Sequence, residues 1–138
     1  MRLRASAKEQ LIKSVPLFSH CSRAEIMALA GEADELTLPA GKELTRQGER
    51  GREFMVIVDG AARVEKDGRL LNELGPSDFL GEIALLSDTP RTATVTTTTE
   101  TTVLVLTDRA FKRVADKIPS VHESLLAALT ARLQDDAL

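Results

Sequence analysis

Residues 75–93 run Gly75-Pro76-Ser77-Asp78-Phe79-Leu80-Gly81-Glu82-Ile83-Ala84-Leu85-Leu86-Ser87-Asp88-Thr89-Pro90-Arg91-Thr92-Ala93 and bring together residue types that hold an anion. Gly81 precedes a short apolar stretch, Ile83 to Leu86, that reads as one or two helical turns. A glycine ahead of a helix N-terminus lets a ligand come close to amides that lack helical partners and carry a partial positive charge. A phosphate fits there. Arg91 follows in a loop opened by Pro90, and its guanidinium fork can grip two phosphate oxygens at once. Glu82 runs against a pure anion site, since a carboxylate repels phosphate. It has a use if the ligand also carries a hydroxyl in need of an acceptor, such as a ribose 2′-OH. Taken singly, Glu82 is an ordinary first-turn helix carboxylate, Arg91 a surface arginine and Gly81 a turn. Their order and spacing are what point to a site.

The elements that must position this stretch change character along the chain. The first third reads as helix. Ser6-Ala7-Lys8-Glu9 has the form of a capping box, with Leu11, Ile12 and Val15 behind it and Pro16 as a stop. Ser22-Arg23-Ala24-Glu25 repeats the form, Ile26, Leu29 and Ala30 give an apolar face, and Gly31 suits a C-terminal cap. From about residue 35 the period becomes that of strands. Pro39-Ala40-Gly41 reads as a turn, and Phe54 to Val58 is a short apolar run. The Asp59-Gly60 and Asp67-Gly68 steps read as hairpin turns, because such turns need positive φ. The threonines between 92 and 102 read as a half-exposed strand pair, and Val103 to Leu106 as a strand buried on both faces. The tail returns to helix. Thr107 or Asp108 caps a helix carrying Phe111, Val114, Ala115 and Ile118, which Pro119 ends. Ser120-Val121-His122-Glu123 is a third capping box, ahead of a stripe of Val121, Leu125, Ala128, Leu129 and Leu133. The expected fold is α+β, mainly β: an antiparallel, jelly-roll-like β-roll flanked by N-terminal helices and two C-terminal helices.

Composition excludes several classes. The chain has 138 residues, 43 % hydrophobic and 28 % charged, which suits one folded domain. A net charge of −3 argues against coating nucleic acid or anionic membrane. The single cysteine, Cys21, forms no internal disulfide and fits a reducing compartment. One cysteine and two histidines are too few for a typical structural zinc site, so no metal is expected. There is no long apolar run and no signal-peptide pattern, and the expected location is the cytoplasm.

Gly81-Glu82-Ile83-Ala84-Leu85-Leu86, a short loop, and Pro90-Arg91-Thr92-Ala93-Thr94-Val95 resemble the phosphate-binding cassette of cyclic-nucleotide-binding domains. These domains occur in the bacterial catabolite activator protein, in regulatory subunits of cAMP-dependent protein kinase and in cyclic-nucleotide-gated channels. Pro16-Leu17-Phe18 with the Ser22 helix, Leu38 to Gly41, Arg46 to Glu49, Phe54 to Gly60, and the Phe111 and Ser120 helices extend the resemblance over nearly the whole chain. It implies a single domain over 1–138: a helical segment at about 6–31, a β-roll at about 35–107 holding the cassette at 81–93, and B and C helices at about 108–135.

The resemblance also implies roles. Glu82 accepts the ribose 2′-OH and Arg91 pairs with the cyclic phosphate. The amides of Ile83, Ala84 and Ala93 complete the cradle, the Thr92 hydroxyl joins it, and Gly81 allows close approach. Val64, Leu74 and Phe79 wall the base, and Arg132 or Leu133 contacts it from the C helix. Two departures stand out: Gly51-Arg52 where many members have Gly-Asp, and Leu80 where an aromatic is common. Neither is expected to touch the polar groups of the cassette.

The implied function is that of a sensor, not an enzyme. cAMP is the favoured ligand and cGMP the other, with no further cofactor. Binding would move the C-terminal helices. The signal would pass to a separate effector protein, or to an effector region beyond a chain that is a fragment. Met1 and the helix near it favour an intact N-terminus over an intact C-terminus. A homodimer through the C-terminal helix would use the same apolar stripe. The alternative is a degenerate domain of the same fold that acts as a protein–protein interaction module without nucleotide. A cupin-type metalloenzyme is disfavoured because His20 and His122 lie in the helical flanks, and a DNA-binding regulator because no reading helix is visible.

Overall fold

The computed structural model describes residues 3–81, 85, 88 and 90–136, with the side chains of 129 and 131–136 outside the description. Helix α1 spans Ala5–Ser14, a 3-10 turn Pro16–Phe18, and α2 Arg23–Glu32. Eight strands follow: β1 Asp34–Leu38, β2 Glu43–Thr45, β3 Glu53–Asp59, β4 Ala62–Lys66, β5 Arg69–Leu74, β6 Phe79–Leu80, β7 Thr94–Thr97 and β8 Thr101–Thr107. Helices α3, Asp108–Lys117, and α4, Ser120–Asp136, complete the chain. Contacts divide it into two compact units, one of residues 34–108 and one of residues 1–33 with 109–138.

The first unit is the expected β-roll. Among the described residues it holds two antiparallel four-stranded sheets, ordered β1-β8-β3-β6 and β2-β7-β4-β5. Met55, Ile57, Ala62, Leu80, Val95, Val103 and Val105 form its buried core, with Leu38, Leu44, Val64 and Leu74 packed at the margin. Period-2 alternation sends Met55 and Ile57 of β3, and Val103 and Val105 of β8, into that core. Phe54, Val56, Leu104 and Leu106 between them are buried as well, so both strands are covered on both faces, as expected for Val103–Leu106.

Turn chemistry was legible in part. Asp67 and Gly68 have φ of 53° and 77°, and they join β4 to β5 in a hairpin. Asp59-Gly60 is not a hairpin. β3 pairs with β8 and β6 while β4 pairs with β5 and β7, so this step carries the chain from one sheet to the other. Gly60 has φ 101°, and a side chain there would meet Thr101 and the Glu100 carbonyl. The threonine segment is also more interior than expected. Thr97 and Thr101 are buried. Thr97 Oγ1 accepts from Lys42 N at 2.8 Å and donates to Pro39 O at 2.7 Å. Thr101 Oγ1 donates to Thr99 O at 2.9 Å. Threonine supplies both β-propensity and the donors and acceptors that bulged, irregular roll edges leave unmet.

The second unit is helical. Ile12, Leu17, Phe18, Leu29, Phe111, Val114, Val121 and Leu125 are among its buried side chains. Of the three capping boxes, only that of Ser22 and Glu25 forms, with Glu25 N donating to Ser22 Oγ at 3.2 Å and Ser22 N to Glu25 Oε1 at 2.7 Å. Helix α1 starts ahead of Ser6, because Arg4 O already accepts from Ala7 N and Lys8 N. Gly31 lies inside α2, which runs to Glu32 and passes through extended Ala33 without a left-handed cap. Ser120 turns its hydroxyl to Glu25 Oε2 at 3.1 Å.

Candidate functional site

Arg91 is seated by main-chain bonds before its side chain is considered. Its N–H donates to Glu49 O and its carbonyl accepts from Gly48 N, both at 2.8 Å, and Pro90 beside it bridges to Arg50. The loop between β2 and β3 therefore fixes where the Arg91 side chain begins. That side chain runs inward and is only 9 % exposed. Its Nη2 donates to the Glu53 carbonyl at 2.6 Å, and the Glu53 carboxylate lies 3.6 Å away. A surface arginine would show none of this; the guanidinium is a delocalised cation set at a defined point in the roll.

Two glycines make room for it. A Cβ on Gly51 would overlap Arg91 Nε and Cζ. A Cβ on Gly81 would overlap Arg91 Nη1 and the Glu53 carbonyl, and Gly81 has φ 78°. Gly81 is thus glycine for two reasons, backbone conformation and space. The structure brings Gly81 and Arg91 together, ten positions apart in sequence. Arg50 and Asp88, exposed beside this loop, form an ion pair.

Glu82, Ile83 and Ala84 lie outside the described residues. Thr92 is exposed, while Ala93 is half-buried and its carbonyl accepts from Thr45 Oγ1 at 3.0 Å. Thr94 Oγ1 accepts from Gln47 N at 3.0 Å, which ties the start of β7 to the same β2–β3 loop. Val64 and Leu74 sit at the margin of the roll core. Phe79 is half-buried with its ring centroid 6.4 Å from that of Phe54. Arg132 and Leu133 belong to α4, and their side chains are outside the description.

Sequence reasoning missed Gly51 and Glu53. The Gly51-Arg52 step was expected not to touch the polar groups of the cassette, only to alter affinity or partner contacts. Arg52 does turn elsewhere, to Asp108 Oδ2 at 3.8 Å, but Gly51 lies against the Arg91 guanidinium. A glycine in a loop is a weak signal, and the Glu53 contact that matters most uses a main-chain oxygen that every residue has. Among the described residues no group of three or more His, Cys, Asp or Glu could hold a metal ion, and no helix is long and apolar enough to cross a membrane.

Comparison with known proteins matches residues 35–117 to the family model for the cyclic nucleotide-binding domain. A cAMP-dependent protein kinase regulatory subunit from Dictyostelium discoideum is 33 % identical over 118 residues, covering 80 % of this chain and 36 % of the relative. A CRP-like cAMP-activated global transcriptional regulator from Mycobacterium tuberculosis is 30 % identical over 132 residues, covering 91 % of this chain and 58 % of the relative. The chain therefore spans only part of the length of these relatives. In three dimensions it resembles the crystal structure of the N-terminal domain of a transcriptional regulator from Streptomyces coelicolor A3(2), with a TM-score of 0.82, 30 % identity, and coverage of 91 % of this chain and 94 % of the other.

Proposed function

The chain belongs to the cyclic nucleotide-binding domain family, and from that premise we propose that it is a ligand-sensing, non-catalytic domain that binds cAMP in preference to cGMP. The observation that carries this reading is the nearly buried Arg91 guanidinium, held by Glu53 and flanked by Gly51 and Gly81. A fixed, partly desolvated guanidinium suits a single negative charge on a cyclic phosphate. Arg91 takes that phosphate. The amides of Ile83, Ala84 and Ala93 and the Thr92 hydroxyl complete its cradle, Gly81 lets it approach, and Glu82 accepts the ribose 2′-OH. Val64, Leu74 and Phe79 wall the base. Residues 1–138 act as one domain, in which the C-terminal helices respond to ligand and supply Arg132 or Leu133 to the base. The response reaches a separate effector protein or an effector region of a longer chain. The free, buried Cys21 fits work in the reducing cytoplasm.

The names of the relatives support cAMP, since both the kinase subunit and the transcriptional regulator carry it in their descriptions. The interaction-module reading is favoured by one feature: Leu70 and Leu71 of β5 stand 60 % and 59 % exposed. Calorimetric titration with cAMP and cGMP, with 5′-AMP as control, separates the two. Saturable binding of a cyclic form, much tighter than 5′-AMP, is the expected result. No binding up to millimolar concentration in a folded, ligand-free sample would overturn the sensor reading. Arg91→Ala is expected to lose roughly 1.5–3 kcal/mol of binding free energy, on the order of ten- to a hundred-fold in affinity.

A further inference from the structure

Glu25 is the one buried carboxylate among the described residues, 4 % exposed. It has two duties. At the third position of α2 it closes the capping box with Ser22, whose N–H reaches Oε1 at 2.7 Å. The same carboxylate also accepts two hydroxyls from residues almost a hundred positions later. Ser120 Oγ donates to Oε2 at 3.1 Å, and Ser124 Oγ to Oε1 at 3.1 Å and Oε2 at 3.3 Å. Ser120 and Ser124 are four apart on α4, so their hydroxyls stand one above the other on a single face. Val121 and Leu125, next to them, are fully buried.

An apolar seam would hold α4 without fixing its register, because hydrophobic contact is non-directional. The carboxylate adds what the seam lacks. Sliding α4 by one turn, about 5.4 Å, would bring Ser124 into the place of Ser120 and Ala128 into the place of Ser124. Ala128 has no donor, and a buried carboxylate short of a hydrogen bond is costly. We infer that Glu25 is a clasp that sets the register of the first turns of α4 against the start of α2, so that any displacement of those turns requires the carboxylate to release two hydroxyl donors.

Hydrogen exchange read by mass spectrometry on the full chain tests this without any ligand. The double variant Ser120→Ala/Ser124→Ala leaves the Ser22–Glu25 box intact. It is expected to exchange at least about ten-fold faster in the first two turns of α4, with α2 at its wild-type rate. The pair Ser120→Ala and Ser120→Thr supplies the control for hydroxyl chemistry: the alanine variant loosens α4, and the threonine variant, which keeps a donor, restores protection. Unchanged exchange in α4 would overturn the clasp. So would faster exchange spread evenly over α1, α2 and α4, or equal loosening by alanine and threonine, since either marks general stabilisation rather than a register lock.

Discussion

Arg91 takes its orientation from backbone more than from side chains. The Glu53 carbonyl, the Glu49 carbonyl and the Gly48 amide all bond to it, and two glycines leave the space it fills. The two glycines differ in what a methyl group would strike, and their alanine variants should differ accordingly. At Gly51 the three nearest atoms the methyl would meet all belong to the Arg91 guanidinium and none to backbone, so Gly51→Ala should displace the guanidinium at little cost to the fold. At Gly81 it meets the Glu53 carbonyl as well, on a backbone at positive φ, so Gly81→Ala should destabilise the roll by about 1–3 kcal/mol. Denaturation midpoints and cAMP titration of both variants check this. Gly51→Ala is expected to weaken binding at least about ten-fold with its midpoint nearly unchanged, and the reverse pattern would show that Gly51 serves the fold. Gly81 and Arg91 were both singled out in the sequence as candidate site residues, from the order and spacing of the 75–93 stretch. Gly51 and Glu53 were not.

Turns and hydroxyls decide more at the scale of elements than strand propensity does. The threonine run from 92 to 102 was legible as strand, yet Thr97 and Thr101 are interior fasteners that tie β7 and β8 to turn backbone. Thr97→Val keeps shape and propensity but deletes the bonds to Lys42 N and Pro39 O. It should cost about 1–3 kcal/mol in urea unfolding. A loss within error would mean that the Pro39–Gly41 turn reorganises without it. The open edge of the β2-β7-β4-β5 sheet carries its own device. Between the pairs Glu65↔Leu70 and Val64↔Asn72 the register shifts, with Leu71 as the additional residue on β5. A bulge there twists the edge and disfavours pairing with a foreign strand. No local pattern in Arg69–Leu74 signals that shift.

For the whole molecule, acid stability follows from Glu25. Burial pushes its carboxyl up, but the Ser22 N–H and the hydroxyls of Ser124, Ser120 and Ser22 outweigh burial and hold it below the ordinary glutamate value. A lowered folded-state value means the stabilisation is complete above the ordinary carboxylate range and is lost as pH falls through the folded value. Urea midpoints should therefore drop between about pH 5 and pH 3 more steeply in the wild type than in Glu25→Gln; parallel curves would contradict it. Glu43 is lowered too, beside Arg46, but both are exposed and such a pair contributes little. The sequence by itself determined the helix–roll–helix order, the Asp67-Gly68 hairpin and the Ser22 box, and marked the stretch that holds Gly81 and Arg91. All of these rest on interactions within a few residues or on a motif read in one stretch. Only the tertiary structure decided which sheet each strand enters, that Glu53 rather than a neighbour of Arg91 holds the guanidinium, and that Ser120 serves Glu25 instead of its own helix. Those choices are made by backbone atoms common to every residue and by partners 38 and 95 positions apart, which no local pattern encodes.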